Sequence, residues 1–125
     1  MIRGFVDKKT TVNQLKKLVQ KFCEIRDWDQ YHGPKDLTIG IVTEAAELLD
    51  HFRFKTEAQA REYMANPKKR LEVEHEVADT LFMLLRFAQM YNIDLSKALA
   101  RKMTINNKKY PVHKSKGSNK KYTDL

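Results

Sequence analysis

Apolar residues along the chain recur mainly three or four positions apart, the spacing of one helical face, and nowhere alternate as a half-buried strand requires. Val12, Leu15, Leu18, Val19, Phe22, Ile25 and Trp28 trace one such stripe over residues 12–31, with Thr10 or Thr11 placed to cap its start. His32-Gly33-Pro34 interrupts the stripe. Because proline is tolerated at a helix start, a second helix is expected from about Asp36 to Phe52. Thr56 before Glu57 predicts a short third helix through Tyr63, and Asn66 before Pro67 predicts the cap and first turn of a long fourth, ending near Tyr91 and Asn92. Asp94 or Ser96 caps a fifth helix that reaches about Asn107, and Pro111 closes it. The expected fold class is all-α: an antiparallel bundle of four to five helices forming one domain over residues 1–112. The basic tail, residues 113–125, lacks periodicity and is expected to be flexible.

With 125 residues, 42% of them hydrophobic, the chain is long enough for a single core. Cys23 is the one cysteine, which excludes a disulfide framework and a thiolate metal site, and its place on the first stripe makes it a core residue. No apolar signal-like stretch opens the chain, and the run near residues 80–85 is too short to cross a bilayer. The expectation is a soluble, cytoplasmic protein with no membrane partner. The net charge of +8 changes this picture less than it first suggests, because residues 101–125 hold eight Lys or Arg against Asp124 alone. The rest of the chain is close to neutral, so a nucleic acid is not the expected partner, and a small phosphate-bearing ligand suits the same charge.

The candidate chemistry lies in the acids. Glu44 and Glu47 are three apart on the second expected helix, and Glu76 and Asp79 repeat the spacing on the fourth, so each pair projects from one face. No Lys or Arg occurs between Asp36 and Phe52, nor between Glu76 and Leu85, so neither pair has a cationic partner in its own stretch. Glu57, Glu62, Glu72 and Glu74, by contrast, lie among basic residues and read as solvated surface acids. Like charges packed among apolar residues are costly unless a cation joins them, and four oxygen donors without thiolate suit the hard ions Mg²⁺ or Mn²⁺. His51 and His75 could add ligands or serve as hydrogen-bonding neighbours.

These residues resemble the all-helical MazG-like nucleotide pyrophosphohydrolases: Glu44-x-x-Glu47, 28 intervening residues, then Glu76-x-x-Asp79. Arg26-Asp27-Trp28-Asp29-Gln30-Tyr31-His32 ahead of the second helix, Lys102-Met103-x-x-Asn106, and Lys109-Tyr110-Pro111-Val112-His113 extend the likeness. The tail from Ser115 to Leu125 is similar to that of the dCTP pyrophosphatase branch. The resemblance implies hydrolysis of a nucleoside triphosphate, with dCTP or a modified pyrimidine nucleotide foremost, to the monophosphate and pyrophosphate. It implies Mg²⁺ at Glu44, Glu47, Glu76 and Asp79, and a homo-oligomer, dimer or tetramer. Lys102 and Asn106 would contact the phosphates, while Trp28, Tyr31, His32, Phe54 and Met83 would form the base and sugar pocket. Three positions depart from the branch: Phe54 stands for tryptophan, Met83 for tyrosine and Val19 for histidine. Losing two hydrogen-bonding groups there relaxes or replaces cytosine selectivity. Asn107, where the branch has arginine, weakens the phosphate grip. Two alternatives remain open at this point: a basic helical module associated with nucleic acid, and a scaffold whose metal is structural.

Overall fold

A computed structural model of the protein describes residues 2–125, and every regular element among them is helical. The helices are α1 (Val12–Glu24), α2 (Pro34–Asp50), α3 (Glu57–Ala65), α4 (Pro67–Met90), α5 (Leu95–Lys109) and α6 (Val112–Ser115). Short 3-10 turns occupy Asp29–Tyr31 and Tyr122–Asp124. Among the described residues no helix is long and apolar enough to cross a membrane.

The starts follow from local chemistry. Thr11 and Gln14 form a reciprocal capping box, the Gln14 N–H donating to Thr11 Oγ1 at 3.1 Å and the Thr11 N–H to Gln14 Oε1 at 2.8 Å. Thr56 and Gln59 repeat the device at α3. Asn66 caps α4 and Asp94 caps α5 through their side-chain oxygens, while Pro34 and Pro67 occupy first turns, where a missing N–H costs nothing.

The first helix ends earlier than the apolar spacing predicts. α1 stops at Glu24, and Asp27 turns into the left-handed region with φ 55°. The Trp28 N–H then reaches back to the Cys23 carbonyl at 3.1 Å and the Asp27 N–H to the Glu24 carbonyl at 3.0 Å. That pair of bonds is a Schellman closure, and its usual apolar contact is present too: the Phe22 and Trp28 rings meet edge-on at 5.7 Å. Trp28 is therefore not a further rung of the α1 stripe. It is folded back over the helix end.

The chain divides into two compact units, Met1–Asn92 and Ile93–Leu125. In the first, α1, α2 and α3 each pack on the long α4. Its core joins Val19 and Cys23 of α1, Leu37 of α2, and Val73, Leu85 and Ala88 of α4. Cys23 is fully buried, as its stripe position predicted. The second unit holds α5, α6 and the last 3-10 turn, with the Tyr110 and Tyr122 rings edge-on at 5.8 Å.

Candidate active site

Packing α2 on α4 brings the two acidic pairs together. Glu44, Glu47 and Glu76 each offer a carboxylate oxygen within 4.8 Å of the others. Asp79, one turn beyond Glu76, adds its negative charge to both Glu44 and Glu76. Glu44 and Glu76 are half-buried, and the Oε2 of each is buried without a hydrogen-bond partner in the protein. Burial first, then the neighbouring carboxylates, push the Glu44 carboxyl above its ordinary range; Glu76 shifts the same way by burial and by Glu47 and Asp79. His51 opposes that shift only weakly, and its Nδ1 lies 2.8 Å from the Tyr63 hydroxyl, a neighbour's role.

The ion pairs among the described residues bypass this cluster. Lys69 pairs with Glu72, Arg70 with Glu74, Arg53 with Asp50 and Arg86 with Asp29. Two orphaned buried oxygens in a cluster of unpaired acids, all hard donors, fit a divalent cation of the Mg²⁺ type.

Beside the acids a cavity of about 580 Å³ opens between α1, α2 and α4. Leu18, Val19 and Phe22 of α1, Trp28, and Phe82 and Met83 of α4 form apolar walls, with Ile2 at one side. Glu44 and Asp79 are the polar residues that line it, so the acid cluster and the apolar slot share a boundary. Met83 reaches the cavity across Gly40 of α2, whose missing side chain leaves room for the thioether.

The structure places the remaining expected residues unevenly. His32 stands behind Trp28, the two rings edge-on at 6.1 Å, and does not line the cavity. Tyr31, 62% exposed, and Phe54, 86% exposed, do not line it either. Phe54 sits on the turn after α2 with the Arg53 guanidinium 4.5 Å above its ring, because α2 has already ended at Asp50 and no longer directs the side chain inward. Lys102 and Asn106 lie one turn apart on α5 in the second unit, Lys102 exposed and Asn106 half-buried. Sequence reasoning passed over Phe22 and Phe82 as pocket walls, and over Arg86. That arginine is fully buried and bonded to Asp29, His32 and Gln89. Its one signal was a lone cation in the apolar run from Leu81 to Ala88.

The chain is 37% identical over 115 residues to the dCTP pyrophosphatase 1 of Rattus norvegicus, spanning 92% of this chain and 68% of that protein. It is 34% identical over the same length and shares to the dCTP pyrophosphatase 1 of Homo sapiens. The fold is similar to the crystal structure of a pyrophosphatase from Archaeoglobus fulgidus, with a TM-score of 0.75, 32% identity, and coverage of 89% of this chain and 99% of the other. The MazG-like family model matches residues 39–125, which takes in both acidic pairs. The chain therefore belongs to the MazG-like family.

Proposed function

We propose that this nucleoside triphosphate pyrophosphohydrolase uses Mg²⁺ and acts on dCTP or a modified pyrimidine nucleotide, releasing the monophosphate and pyrophosphate in a house-cleaning or pool-controlling role. The observation that carries the reading is the shared boundary between the acid cluster, with its two orphaned oxygens, and the Trp28-walled apolar cavity. A nucleotide needs both: a hard cation beside its phosphates and a flat apolar slot for its base.

Glu44, Glu47, Glu76 and Asp79 would hold the ion, which when bound neutralises phosphate charge and activates water toward the phosphoanhydride. The protein's own share is positioning. Trp28 offers a stacking face for the base, while Val19, Phe82 and Met83 keep water from it. A carboxylate of the cluster accepts the proton of the attacking water. Lys102 and Asn106, an ammonium and an amide one helical turn apart on α5, are the pair that the resemblance assigns to phosphate contact.

The same reading includes self-association. Ile39, Val42 and Leu49 lie on one exposed face of α2, and Val77, Leu81 and Leu84 on one exposed face of α4. Apolar rows of this length on two helices favour burial against a second copy, making a dimer or a tetramer of such dimers.

The decisive test is a panel of canonical and modified triphosphates with Mg²⁺, with pyrophosphate and nucleoside monophosphate measured as products. Release of pyrophosphate from pyrimidine deoxynucleotides supports the reading. Release of inorganic phosphate instead, or no turnover of any triphosphate, overturns it.

A further inference from the structure

Arg86 is the largest fully buried side chain among the described residues, and the acid cluster and cavity described above make no direct use of it. It lies on the α4 face that carries Glu76, Asp79 and Met83, seven residues after Asp79 and three after Met83. Each of its nitrogens donates to a side chain: Nε to His32 Nδ1 at 2.8 Å, Nη1 to Gln89 Oε1 at 2.5 Å, and Nη2 to Asp29 Oδ1. Two of these acceptors are the first residue of the 3-10 turn that follows Trp28, Asp29, and the residue that caps its end, His32. The Tyr91 hydroxyl donates to the His32 carbonyl at 3.3 Å, a second tie from the end of α4 to the same turn.

The protonation of His32 follows from this bonding. Arginine only donates, so Nδ1 must accept and the imidazole proton sits on Nε2. Burial, and then the guanidinium itself, hold the His32 pKa below its ordinary value against the pull of Asp29. The ring is thereby fixed edge-on to Trp28, which forms a wall of the cavity. A buried cation is an expensive way to fill space, since apolar side chains of similar volume often serve stability as well or better. Directional donors are what an apolar side chain lacks.

We infer that Arg86 is a positioning residue for the nucleotide pocket: it clamps the turn after Trp28 to α4, fixes His32 as the Nε2–H tautomer, and so seats Trp28 as the stacking wall. The inference rests on the pyrophosphohydrolase reading for its kinetic consequence but not for its structural one.

The test compares wild type with Arg86→Met and Arg86→Lys. Asp29 is half-exposed and His32 half-buried, so both can rehydrate when the guanidinium is removed. Trp28 is the chain's one tryptophan, so acrylamide quenching of intrinsic fluorescence reads its accessibility directly. In Arg86→Met, quenching should rise and the imidazole nitrogen shifts of His32 should change from a single tautomer to a mixture. KM for the best triphosphate should rise about tenfold with kcat within about threefold, and Arg86→Lys should recover part of the loss. Unchanged quenching and an unchanged His32 tautomer in Arg86→Met overturn the inference. Should that variant not fold, Arg86→Lys decides it: wild-type quenching, tautomer and KM in that protein overturn the inference, and intermediate values support it. If wild type turns over no triphosphate, the pyrophosphohydrolase reading fails on its own, and the fluorescence and tautomer measurements still judge the clamp.

Discussion

Replacing Gly40 by alanine probes the base pocket from behind. A Cβ at position 40 would lie 2.0 Å from the Met83 Cε, 3.3 Å from its Sδ and 3.6 Å from its Cγ, and these side-chain atoms are the nearest it meets. Only the first distance is impossible. Cε is the free end of a flexible thioether, so rotation about the terminal torsion relieves the clash without moving backbone, at about 0.5–1.5 kcal/mol for the displaced rotamer. Against this, alanine in mid-helix is worth about 1 kcal/mol over glycine. The two nearly cancel, so Gly40→Ala should melt within a few degrees of wild type. Function should not be so tolerant. Met83 lines the cavity, and a methyl displaced into a base slot costs about 1–3 kcal/mol in binding, a rise in KM of about tenfold with kcat little changed. Gly40→Ala combined with Met83→Ala removes the displaced methyl, so the double variant should return to the KM of Met83→Ala alone. A destabilisation beyond about 3 kcal/mol shows that Met83 cannot move, and an unchanged KM shows that it does not bound the nucleotide; either refutes the reasoning.

Glu47→Gln keeps the size of the side chain and removes a negative donor, so kcat should fall about a hundredfold or more in a pyrophosphate-release assay, and equal rates remove Glu47 from the mechanism. The raised carboxyls of Glu44 and Glu76 set the sign of a pH effect in metal-free protein: their protonated forms suit the fold, so their contribution is full below the ordinary value of 4.5 and is lost as pH rises through the raised folded values. Urea midpoints in chelator should therefore fall over that interval more steeply for wild type than for a Glu44→Gln, Glu76→Gln double variant, and equal slopes refute the assignment. Added Mg²⁺ should stabilise wild type increasingly as pH rises, because its ligands must be ionised. Met83→Tyr with Val19→His restores two hydrogen-bonding groups to the slot and should change the ratio of kcat/KM between dCTP and dTTP about tenfold; an unchanged ratio shows that base choice is made elsewhere. Val77→Asp with Leu81→Asp places charge on the exposed α4 face and should lower the sedimentation mass to that of one chain, unless that face is not an interface.

The acid cluster was legible because its signal is local. Three-residue spacing puts each pair on one face, and the absence of Lys and Arg from the same stretches left the pairs without a partner. The caps at Thr56 and Asn66 were legible for the same reason, and those of α1 and α5 to within two candidates each, of which the structure uses Thr11 and Asp94. Trp28 was not. Phe22, Ile25 and Trp28 are spaced as a continuing helix spaces them, and the departure depends on Asp27 taking a left-handed conformation that its side chain tolerates without announcing. The consequence is large, because a straight α1 would carry Trp28 onward, whereas the reversal returns it to Phe22 and the cavity. Phe54, which the resemblance assigned to the base pocket, lies past the end of α2 and is exposed in the single chain.

Arg86 shows where periodicity stops informing. Counting along α4 puts it on the face of Glu76, Asp79 and Met83, yet the partners that explain its burial lie 54 and 57 positions earlier, on a turn whose course the apolar spacing misreads. On the proposed reading one helical face would thus hold three functions in register: acids for a cation, a wall for the base, and a clamp for the opposite wall. Because α4 runs unbroken over that span, its pitch fixes the distance from the acid cluster to the Met83 wall of the cavity. On the proposed reading the remaining freedom lies in the turn that carries Trp28, which would make the Arg86 clamp, with Val19 and Met83, a determinant of base choice.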